Sequence, residues 1–412
     1  MNARRPIVLV LAAAFAGLGV AAPAAAQEPD PNVTIRERPR PAFDPLGLRA
    51  GNFLILPSLD VSEIYDDNIF AEPEDETDDF ITLISPRIRA TSNFIRHRLG
   101  LTLGADIARY LDEDDENYED IFGALEGRLD IRRSTFLDAA VDVGLFSEDR
   151  DDPEDVEADE RTEYLRYGGE LALNHTFNRL FTRLTGRIAM FDYDDAGGIN
   201  NDDRDRTDYD ALLRLGYIVS PRINVFTEGR YTIEDRDQDI DDQGFNRDSD
   251  GWEFRAGAGV DLTAVLFGEA FVGYRSESFD EPTFEDVDGV SFGIDLTWNP
   301  TTLTTLILSG GSDIETTTQA GAAGNFQSEI SLSVDHELLR NLLLGATVGY
   351  VRDDFDGIDR VDDTISAGTS LTYLINRYFA VEGSYLYSDR SSDFEFEEYS
   401  RNQIRLGISA QL

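Results

Sequence analysis

Charged side chains recur in the middle of long alternating stretches, where they could bind or steer hydrated polar solutes. In the stretch HRLGLTLGADIARY, Arg98, Thr102 and Asp106 share one face, and leucine and isoleucine occupy the other. Facing charges of both signs inside a wide pore hold polar solutes weakly, through hydrogen bonds and a transverse field. Sixteen residues in this pattern are predicted to line such a pore: Arg87, Arg89, Asp106, Arg128, Asp142, Arg166, Arg183, Arg187, Arg214, Glu228, Arg230, Arg255, Glu269, Asp295, Glu329 and Glu382.

The sequence offers little support for catalysis or for metal binding. The chain has no cysteine, which excludes thiolate nucleophiles and thiolate metal sites, and its three histidines are scattered near predicted short turns. The stretch NRDSDG has the spacing of half a calcium loop, but Gly257 stands where the final glutamate is needed. We therefore predict no enzyme, no catalytic residue, no cofactor and no metal site.

The overall charge excludes one class of partner. The sequence has a formal net charge of -45 at pH 7. Binding of the phosphate backbone requires clustered lysine and arginine, so nucleic acid is not an expected partner.

The elements that must position these charges are β-strands. From Gly51 onward, stretches of about a dozen residues alternate between apolar and polar positions, which is the period of a strand with one apolar face. We count about 18 such strands, from residues 52–64 to residues 398–412. Short connections alternate with long acidic ones, as in an up-and-down barrel whose two ends face different compartments.

A soluble β-sandwich would also show alternating strands. It would have to bury the charges of one strand face in its core, however, at a high cost in free energy. The apolar faces are also continuous for about 9 to 11 residues, the length that crosses a bilayer at a tilt. The pattern therefore predicts an all-β fold, a single transmembrane antiparallel up-and-down β-barrel. Nine aromatic residues near strand ends fit the interfacial girdles of such a barrel.

The first fifty residues read differently from the rest. Residues 1–26 combine Arg4 and Arg5, an apolar run and small residues before Gln27, which is typical of a cleaved signal peptide. Residues 27–50 form a Pro-rich segment, predicted to be periplasmic and poorly ordered. Residues 51–412 are predicted to form the barrel.

The last strand, RLGISAQL, continues its alternation to Leu412, so we expect it to close the barrel against the first strand. Its residues Arg405, Gly407, Ala410 and Leu412 resemble the C-terminal barrel-assembly signal of outer-membrane proteins, although Leu412 replaces the usual final phenylalanine or tryptophan.

The stretch PRPAFDPLGLRAGNFLILPSLDVSEIYDDNIF resembles the β-barrel porin 2 family of outer-membrane proteins. The resemblance lies in a Pro-rich lead, the Asp-Pro-Leu-Gly motif, a first strand and a Tyr-Asp-x-Asn-x-Phe close. It implies a barrel of about this size in the cell outer membrane of a Gram-negative bacterium. It also implies a possible link to exopolysaccharide export, because several members have that association.

Three functions stay open at this point. The barrel could be a diffusion channel for hydrated polar solutes or saccharides, the outer-membrane conduit for an exopolysaccharide, or a non-conducting structural or adhesion barrel with cation-binding loops. The expected partners are outer-membrane lipid and lipopolysaccharide, the barrel-assembly machinery, and polysaccharide with periplasmic export components.

The acidic loops allow two interpretations. The stretch FAEPEDETDDF carries Glu72, Glu74, Asp75, Glu76, Asp78 and Asp79 without a compensating base. These carboxylates could simply keep the loops solvated. Alternatively, they could share divalent cations with the anionic lipid surface and repel anions at the pore mouth.

Overall fold

A computed structural model describes residues 33–153, 160–262, 265–319 and 321–412. The predicted signal peptide lies outside the described residues, as does the beginning of the Pro-rich segment. Apart from three single-turn 3-10 helices, the regular structure of the described part is β-strand. No helix within these ranges is long and apolar enough to span a membrane.

A short strand, β1, precedes eighteen long ones. The bounds are β1 Leu48–Ala50, β2 Phe53–Asp66, β3 Asp79–Ser92, β4 Arg98–Tyr110, β5 Tyr118–Arg132, β6 Thr135–Ser147, β7 Glu163–Phe177, β8 Leu180–Tyr193, β9 Arg206–Ser220, β10 Ile223–Arg236, β11 Ser249–Asp261, β12 Leu266–Phe279, β13 Val287–Thr301, β14 Thr304–Thr316, β15 Gly324–Leu339, β16 Leu342–Asp356, β17 Arg360–Leu374, β18 Phe379–Ser392 and β19 Tyr399–Gln411.

The long strands form one closed antiparallel barrel. Each pairs with its neighbours in sequence, and β19 closes the ring by pairing with β2 from Gln403↔Asp66 to Gln411↔Ser58. Closure leaves no strand edge unpaired, which is what a membrane requires of a β-structure. The prediction of a single up-and-down barrel of about 18 strands is confirmed.

The alternation of residue types separates an apolar outer face from a polar inner face. In β7, Leu171 and Leu173 are 53% and 42% exposed on the outside, whereas Ala172 between them is fully buried on the inside. Leu406 and Ile408 of β19 are likewise exposed on the outer face. Large apolar side chains are therefore presented to lipid, because successive side chains of a strand point to opposite faces.

The connections fall into two classes at the two ends of the barrel. Eight turns at one end have two to five residues, and nine loops mark the other end, the third loop being residues 148–162. Short turns are periplasmic and long loops extracellular in outer-membrane barrels. The predicted alternation has one exception, because the eighth loop, residues 357–359, is shorter than the turn at residues 93–97.

The nine aromatic residues assigned to girdles lie on the outer face. Eight of them are more than a third exposed, and Tyr387 is half-buried. The nine are Tyr167, Tyr217, Trp252, Tyr274, Trp298, Tyr350, Tyr373, Tyr385 and Tyr387.

The described part of the Pro-rich segment is ordered, contrary to our expectation. Residues 33–47, here called the strap, contain turns at both ends and enter the barrel at the end that carries the short turns. Two ion pairs fix the strap to the inner face, between Arg36 and Asp335 and between Arg40 and Glu337. The prediction of disorder was wrong because the ordering partners come from a distant part of the sequence.

Candidate functional site in the barrel lumen

All sixteen residues predicted to line a pore lie on the strand face opposite the exposed apolar side chains. Most of them are held in ion pairs across neighbouring strands, such as Arg87 with Asp106 at 2.7 Å and Arg166 with Asp142. Five are not joined to this network: Arg89, Arg128, Asp295, Glu329 and Glu382. Among these, Arg128 pairs with Asp130 on its own strand at 3.0 Å, and Glu382 accepts a hydrogen bond from Thr372.

A chain of ion pairs runs along the wall from β7 to β10 and reaches Asp313 of β14, which lies 3.9 Å from Arg230. Glu170 accepts from Arg187 at 2.8 Å and from Arg183 at 3.1 Å, and Arg187 also contacts Asp210 at 3.4 Å. Arg230 continues the chain by pairing with Asp210. Glu170 and Asp210 are not among the sixteen residues predicted to line the pore, although both occupy the polar face of an alternating strand.

A parallel chain lies nearer the periplasmic end of the same wall. Arg214 pairs with Glu228 and lies 3.0 Å from Glu269, and Arg255 donates to Glu228 at 2.8 Å. Glu228 is 3% exposed, so water cannot solvate its charge. The guanidinium groups of Arg214 and Arg255 balance this charge instead. These four residues were all predicted, and the structure brings them together.

The opposite wall has a different chemistry. Strands β14 to β17 carry hydroxyl groups between their carboxylates, and these hydroxyls pair across strands as Ser309 with Ser331 at 2.8 Å and Ser333 with Thr347 at 2.9 Å. Sequence analysis, which followed the ionisable residues, did not notice this wall. A solute inside the barrel would meet mainly ion pairs on one side and, on the other, hydroxyl groups beside the carboxylates of Glu329, Asp335 and Glu337.

Aromatic rings form a ladder on the inner face of β5 to β8. The rings of Phe122 and Phe146 lie 6.4 Å apart, those of Phe146 and Tyr164 5.7 Å, and those of Tyr164 and Tyr193 5.0 Å. Phe191 lies beside Tyr164 at 6.3 Å. The ladder was not predicted, although each member occupies a polar-face position of its strand, and such a position is the signal that could have found it.

Guanidinium groups lie over several rings of this ladder. Arg87 lies 4.8 Å from the ring centre of Phe122, and Arg166 lies 5.7 Å from that of Phe191. These contacts hold charged side chains against flat apolar surfaces. The ladder and the ion pairs are thus one connected surface.

The described part of the third loop, residues 148–153 and 160–162, folds into the barrel rather than into solvent. Its Asp151 lies 2.6 Å from Arg401 of β19 and accepts from Arg390 of β18 through its carbonyl oxygen, also at 2.6 Å. The loop leaves the barrel between β6 and β7, six strand positions from β18 and β19 along the shorter arc. It therefore crosses the lumen at the extracellular end.

Other loop charges anchor the third loop near its own strands. Glu148 pairs with Arg204 of the fourth loop at 2.5 Å, and Glu116 of the second loop pairs with Arg150 and Arg161. Glu148 and Glu116 are 5% and 2% exposed. The interpretation of the acidic loops as merely solvated was wrong for these carboxylates, because arginines of neighbouring loops neutralise them.

The first loop shows both kinds of behaviour. Five of its carboxylates are exposed, as expected for a solvated loop: Glu72, Glu74, Asp75, Glu76 and Asp78. Asp79 is 2% exposed instead, and its carboxylate accepts backbone N–H groups of Leu111, Asp112 and Glu113. It fixes the second loop rather than facing solvent.

Two neighbouring carboxyl groups of the third loop differ in acidity. Burial and the nearby charge of Asp151 raise the pKa of Asp149 to about 6. Burial also acts on Asp151, but the charges of Arg401 and Arg390 outweigh it and hold the pKa of Asp151 below its ordinary value. At neutral pH Asp151, here called the latch because it holds the third loop to Arg401 and Arg390, is ionised, and Asp149 titrates within reach of mild acid.

A cavity of about 250 Å³ lies beneath the third loop, against the ladder and the ion-pair chain. Its described lining includes eleven carboxylates and five arginines. An excess of negative charge at a constriction favours cations over anions.

The calcium-like stretch and the histidines have structural roles. Arg247, within NRDSDG, is 1% exposed, pairs with Asp241 at 2.5 Å and donates to backbone carbonyls of the seventh loop. His175 and His336 bond to threonines of neighbouring strands beside the short turns. Among the described residues, no group of three or more histidine or carboxylate side chains could hold a metal ion.

The four residues of the proposed assembly signal all lie in or after β19. Arg405 and Gly407 occupy its inner face, Ala410 its outer face, and the N–H of Leu412 donates to the carbonyl of Pro57 at 3.3 Å. The structure thus places them at the closing seam. Their use as a signal stays a prediction.

A closed barrel with an apolar exterior and a charged, partly aromatic interior defines a membrane-spanning channel of the porin class. The chain belongs to the family described as Putative beta-barrel porin 2, whose sequence profile matches residues 40–412. Proteins of this family and fold are outer-membrane channels rather than enzymes, and the outer membrane is the location of this protein.

Solved porin structures are similar in outline. OpdL of Pseudomonas aeruginosa has 12% identity and a TM-score of 0.45, covering 88% of this chain and 99% of its own. A BenF-like porin from Pseudomonas fluorescens has 11% identity and a TM-score of 0.48, covering 87% and 99%. OccAB4 of Acinetobacter baumannii has 12% identity and a TM-score of 0.44, covering 87% and 98%. No curated protein matches the chain.

Proposed function

We propose that this barrel is a channel for hydrated polar solutes, with saccharides as its preferred class. The aromatic ladder carries the proposal, because it lies beside a continuous chain of paired charges. Flat rings bind the apolar faces of pyranose rings, and the ion pairs supply donors and acceptors for the hydroxyl groups.

The hydroxyl wall supports the same substrate class. Ser309, Ser331, Ser333 and Thr347 offer uncharged donors and acceptors at the level of β14 to β16. A solute that exchanges hydrogen bonds with both walls can replace its hydration shell without a large cost. Weak binding at several such groups permits both entry and release.

The test is single-channel recording in planar bilayers with maltose-length to hexamer-length oligosaccharides as probes. We expect transient sugar-dependent blocks, and a weaker affinity when Phe146→Ala and Tyr164→Ala are combined. Ring contacts worth about 0.5–1.5 kcal/mol each correspond to roughly twofold to tenfold in affinity per ring.

The matched control is Phe254→Ala, which removes an aromatic side chain that is 65% exposed on the outer face. This variant should leave sugar blocks unchanged. Sugar binding that is equally strong in both variants would remove the saccharide preference. A barrel without any conductance would favour the structural or adhesion alternative.

An exopolysaccharide conduit is a special case of the same proposal. The ladder would then serve successive sugar units of a polymer, and periplasmic export components would deliver the chain. Blocks that lengthen steadily with oligomer length would favour the conduit, whereas blocks that reach a limit at two or three units would favour a channel for small saccharides.

The outer face suggests how the barrel meets its lipid. Tyr231 donates to Asp250 at 3.0 Å and Tyr350 to Asp363 at 2.5 Å, on neighbouring strands near the extracellular loops. Tyrosines at this level are typical of membrane interfaces. We propose that these carboxylates, with the exposed acids of the first loop, share divalent cations with lipopolysaccharide.

A further inference from the structure

The strap is tied to the seam of the barrel at one end. The N–H of Gly47 donates to the carbonyl of Leu412 at 3.0 Å, and the side chain of Gln411 donates to the carbonyl of Phe43 at 3.4 Å. Gly47 has a φ of +67°, which favours glycine, and an added Cβ would meet Leu54 and Leu56. The turn at Gly47 therefore directs the chain inward from β1.

The other end of the strap is seated on the inner face of β14 and β15. Arg36 lies 2.6 Å from Asp335 and Arg40 lies 3.1 Å from Glu337, and all four side chains are at most 13% exposed. Between them, the N–H of Ile35 donates to Thr305 at 3.0 Å, and Ile35 is fully buried.

The wall has space for the strap. An added Cβ at Gly345 would lie 2.6 Å from the guanidinium of Arg36 and 2.5 Å from the hydroxyl of Ser370. Arg36 also donates to Ser370 at 3.2 Å. The guanidinium therefore occupies a recess that exists because residue 345 has no side chain.

The strap spans the periplasmic end of the barrel between β14 and the seam, and it contacts inner-face residues of the strands between them, such as Ser370 of β17. From β2 to β14 the shorter arc counts six strand positions in a ring of eighteen. The strap joins these two places, and its Arg38 donates to the carbonyl of Thr302 in a short turn. A segment in this position obstructs the mouth at the periplasmic end.

The strap is held at its seat by ion pairs, a kind of contact that also allows the strap to be released. A buried pair repays much of its own desolvation cost and adds little net stability, whereas an apolar seat would bind the strap more permanently. We infer that residues 33–47 form a displaceable plug of the periplasmic mouth, held by Arg36 and Arg40. This inference rests on the proposed channel function.

The test uses a cysteine pair, which is unique because the natural chain has no cysteine. Ile35→Cys and Thr305→Cys lie at the seat of the strap, and an oxidant such as copper phenanthroline joins the two thiols as a disulfide with loss of two protons and two electrons. Arg36→Gln and Arg40→Gln are added to release the strap. Conductance is recorded in the same protein before and after reduction by dithiothreitol.

We expect low conductance while the disulfide is intact and a severalfold rise after reduction. The matched control carries Arg340→Gln and Arg377→Gln with the same cysteine pair. This control removes two arginines from turns at the same end of the barrel. Its conductance should stay low both with the disulfide intact and after reduction. Folding is checked by the heat-dependent shift of the barrel on gels, and the locked and reduced states share one fold.

The outcomes separate the two proposals. Equal, non-zero conductance in the locked and reduced states of the release variant would overturn the plug and leave the channel intact. Absence of current in every state, with a folded barrel, would overturn the channel function and the plug with it. A rise on reduction that also occurs in the control would show that Arg36 and Arg40 do not hold the strap, and it would overturn the inference of a plug held by these two residues.

Discussion

Replacing Asp151 with asparagine should unseat the third loop from the far wall. Asp151 lies 2.6 Å from Arg401 and 3.3 Å from the hydroxyl of Tyr399. The substitution keeps the size of the side chain and the bond from Arg390 to the backbone carbonyl of residue 151. It removes only the charge that neutralises Arg401.

The magnitude follows from the burial of the pair. The two side chains are 7% and 6% exposed, so neither water nor salt screens them effectively. Breaking a buried pair by removing one partner costs about 3–5 kcal/mol. Because two other contacts remain, the lower value applies, and about 3 kcal/mol corresponds to roughly 100-fold in the ratio of seated to unseated loop.

Single-channel recording gives the readout. In the natural protein the loop should stay seated, and we expect one conductance level to dominate. The Asp151→Asn variant should show frequent transitions to a higher level, because the loop leaves the lumen. Glu74→Gln, at an exposed carboxylate of the first loop, is the matched control and should keep the single level.

A double-mutant cycle sharpens the test. Arg401→Met alone leaves Asp151 buried without its main counter-charge, whereas the pair Asp151→Asn and Arg401→Met leaves no net charge. The double variant should therefore be less disturbed than the sum of the two single variants. Identical level distributions in the natural protein and Asp151→Asn would refute the assignment of Asp151 as the latch.

Two further predictions concern pH and backbone strain. The pKa of Asp149 is raised to about 6 from an ordinary 3.8, so the folded barrel takes up a proton as pH falls from 7 to 5 and the unfolded chain does not. Protonation of Asp149 between pH 7 and 5 therefore removes a destabilising negative charge from the third loop. It should also lower the preference of the channel for cations over this pH range. Reversal potentials should show this step, which Asp149→Asn reduces and Asp112→Asn, at an exposed carboxylate of the second loop, leaves unchanged. Gly268→Ala should destabilise the barrel by about 1–3 kcal/mol in urea titrations, because φ is +136° and the new Cβ would lie 1.9 Å from a carbonyl oxygen. Gly186→Ala, with open space around it, should have little effect; equal stabilities for the two variants would count against the strain.

The barrel itself could be predicted from the sequence because the alternation of residue types that produces each strand is a local pattern. In β11, Trp252 and Phe254 alternate with Glu253 and Arg255, and the period alone assigns their faces. The identity of the inner-face charges followed from the same period. Their partners did not always follow, since Glu170 was overlooked between its two arginines.

The obstructions at the two ends could not be predicted in the same way. The third loop has no period, and its composition favoured solvent, but Arg390 and Arg401 on distant strands neutralise Asp151. Arg36 and Asp335 are separated by 299 residues in sequence. Contacts of this kind depend on which strands closure brings opposite each other, and residue types alone do not encode that.

The hydrogen bond from Gly47 to Leu412 constrains the order in which parts of the barrel can assemble. The strap is tethered to a residue that follows the last strand, and its seat lies on β14 and β15. Neither anchor exists until the C-terminal strands have been inserted and the seam has closed. An unfinished barrel therefore has an unoccupied interior, and the strap, like the contact of Asp151 with β18 and β19, reaches its place only after these strands have formed. We expect a strap-deleted chain to insert at the natural rate and to differ only afterwards, as a barrel that never becomes sealed at its inner mouth.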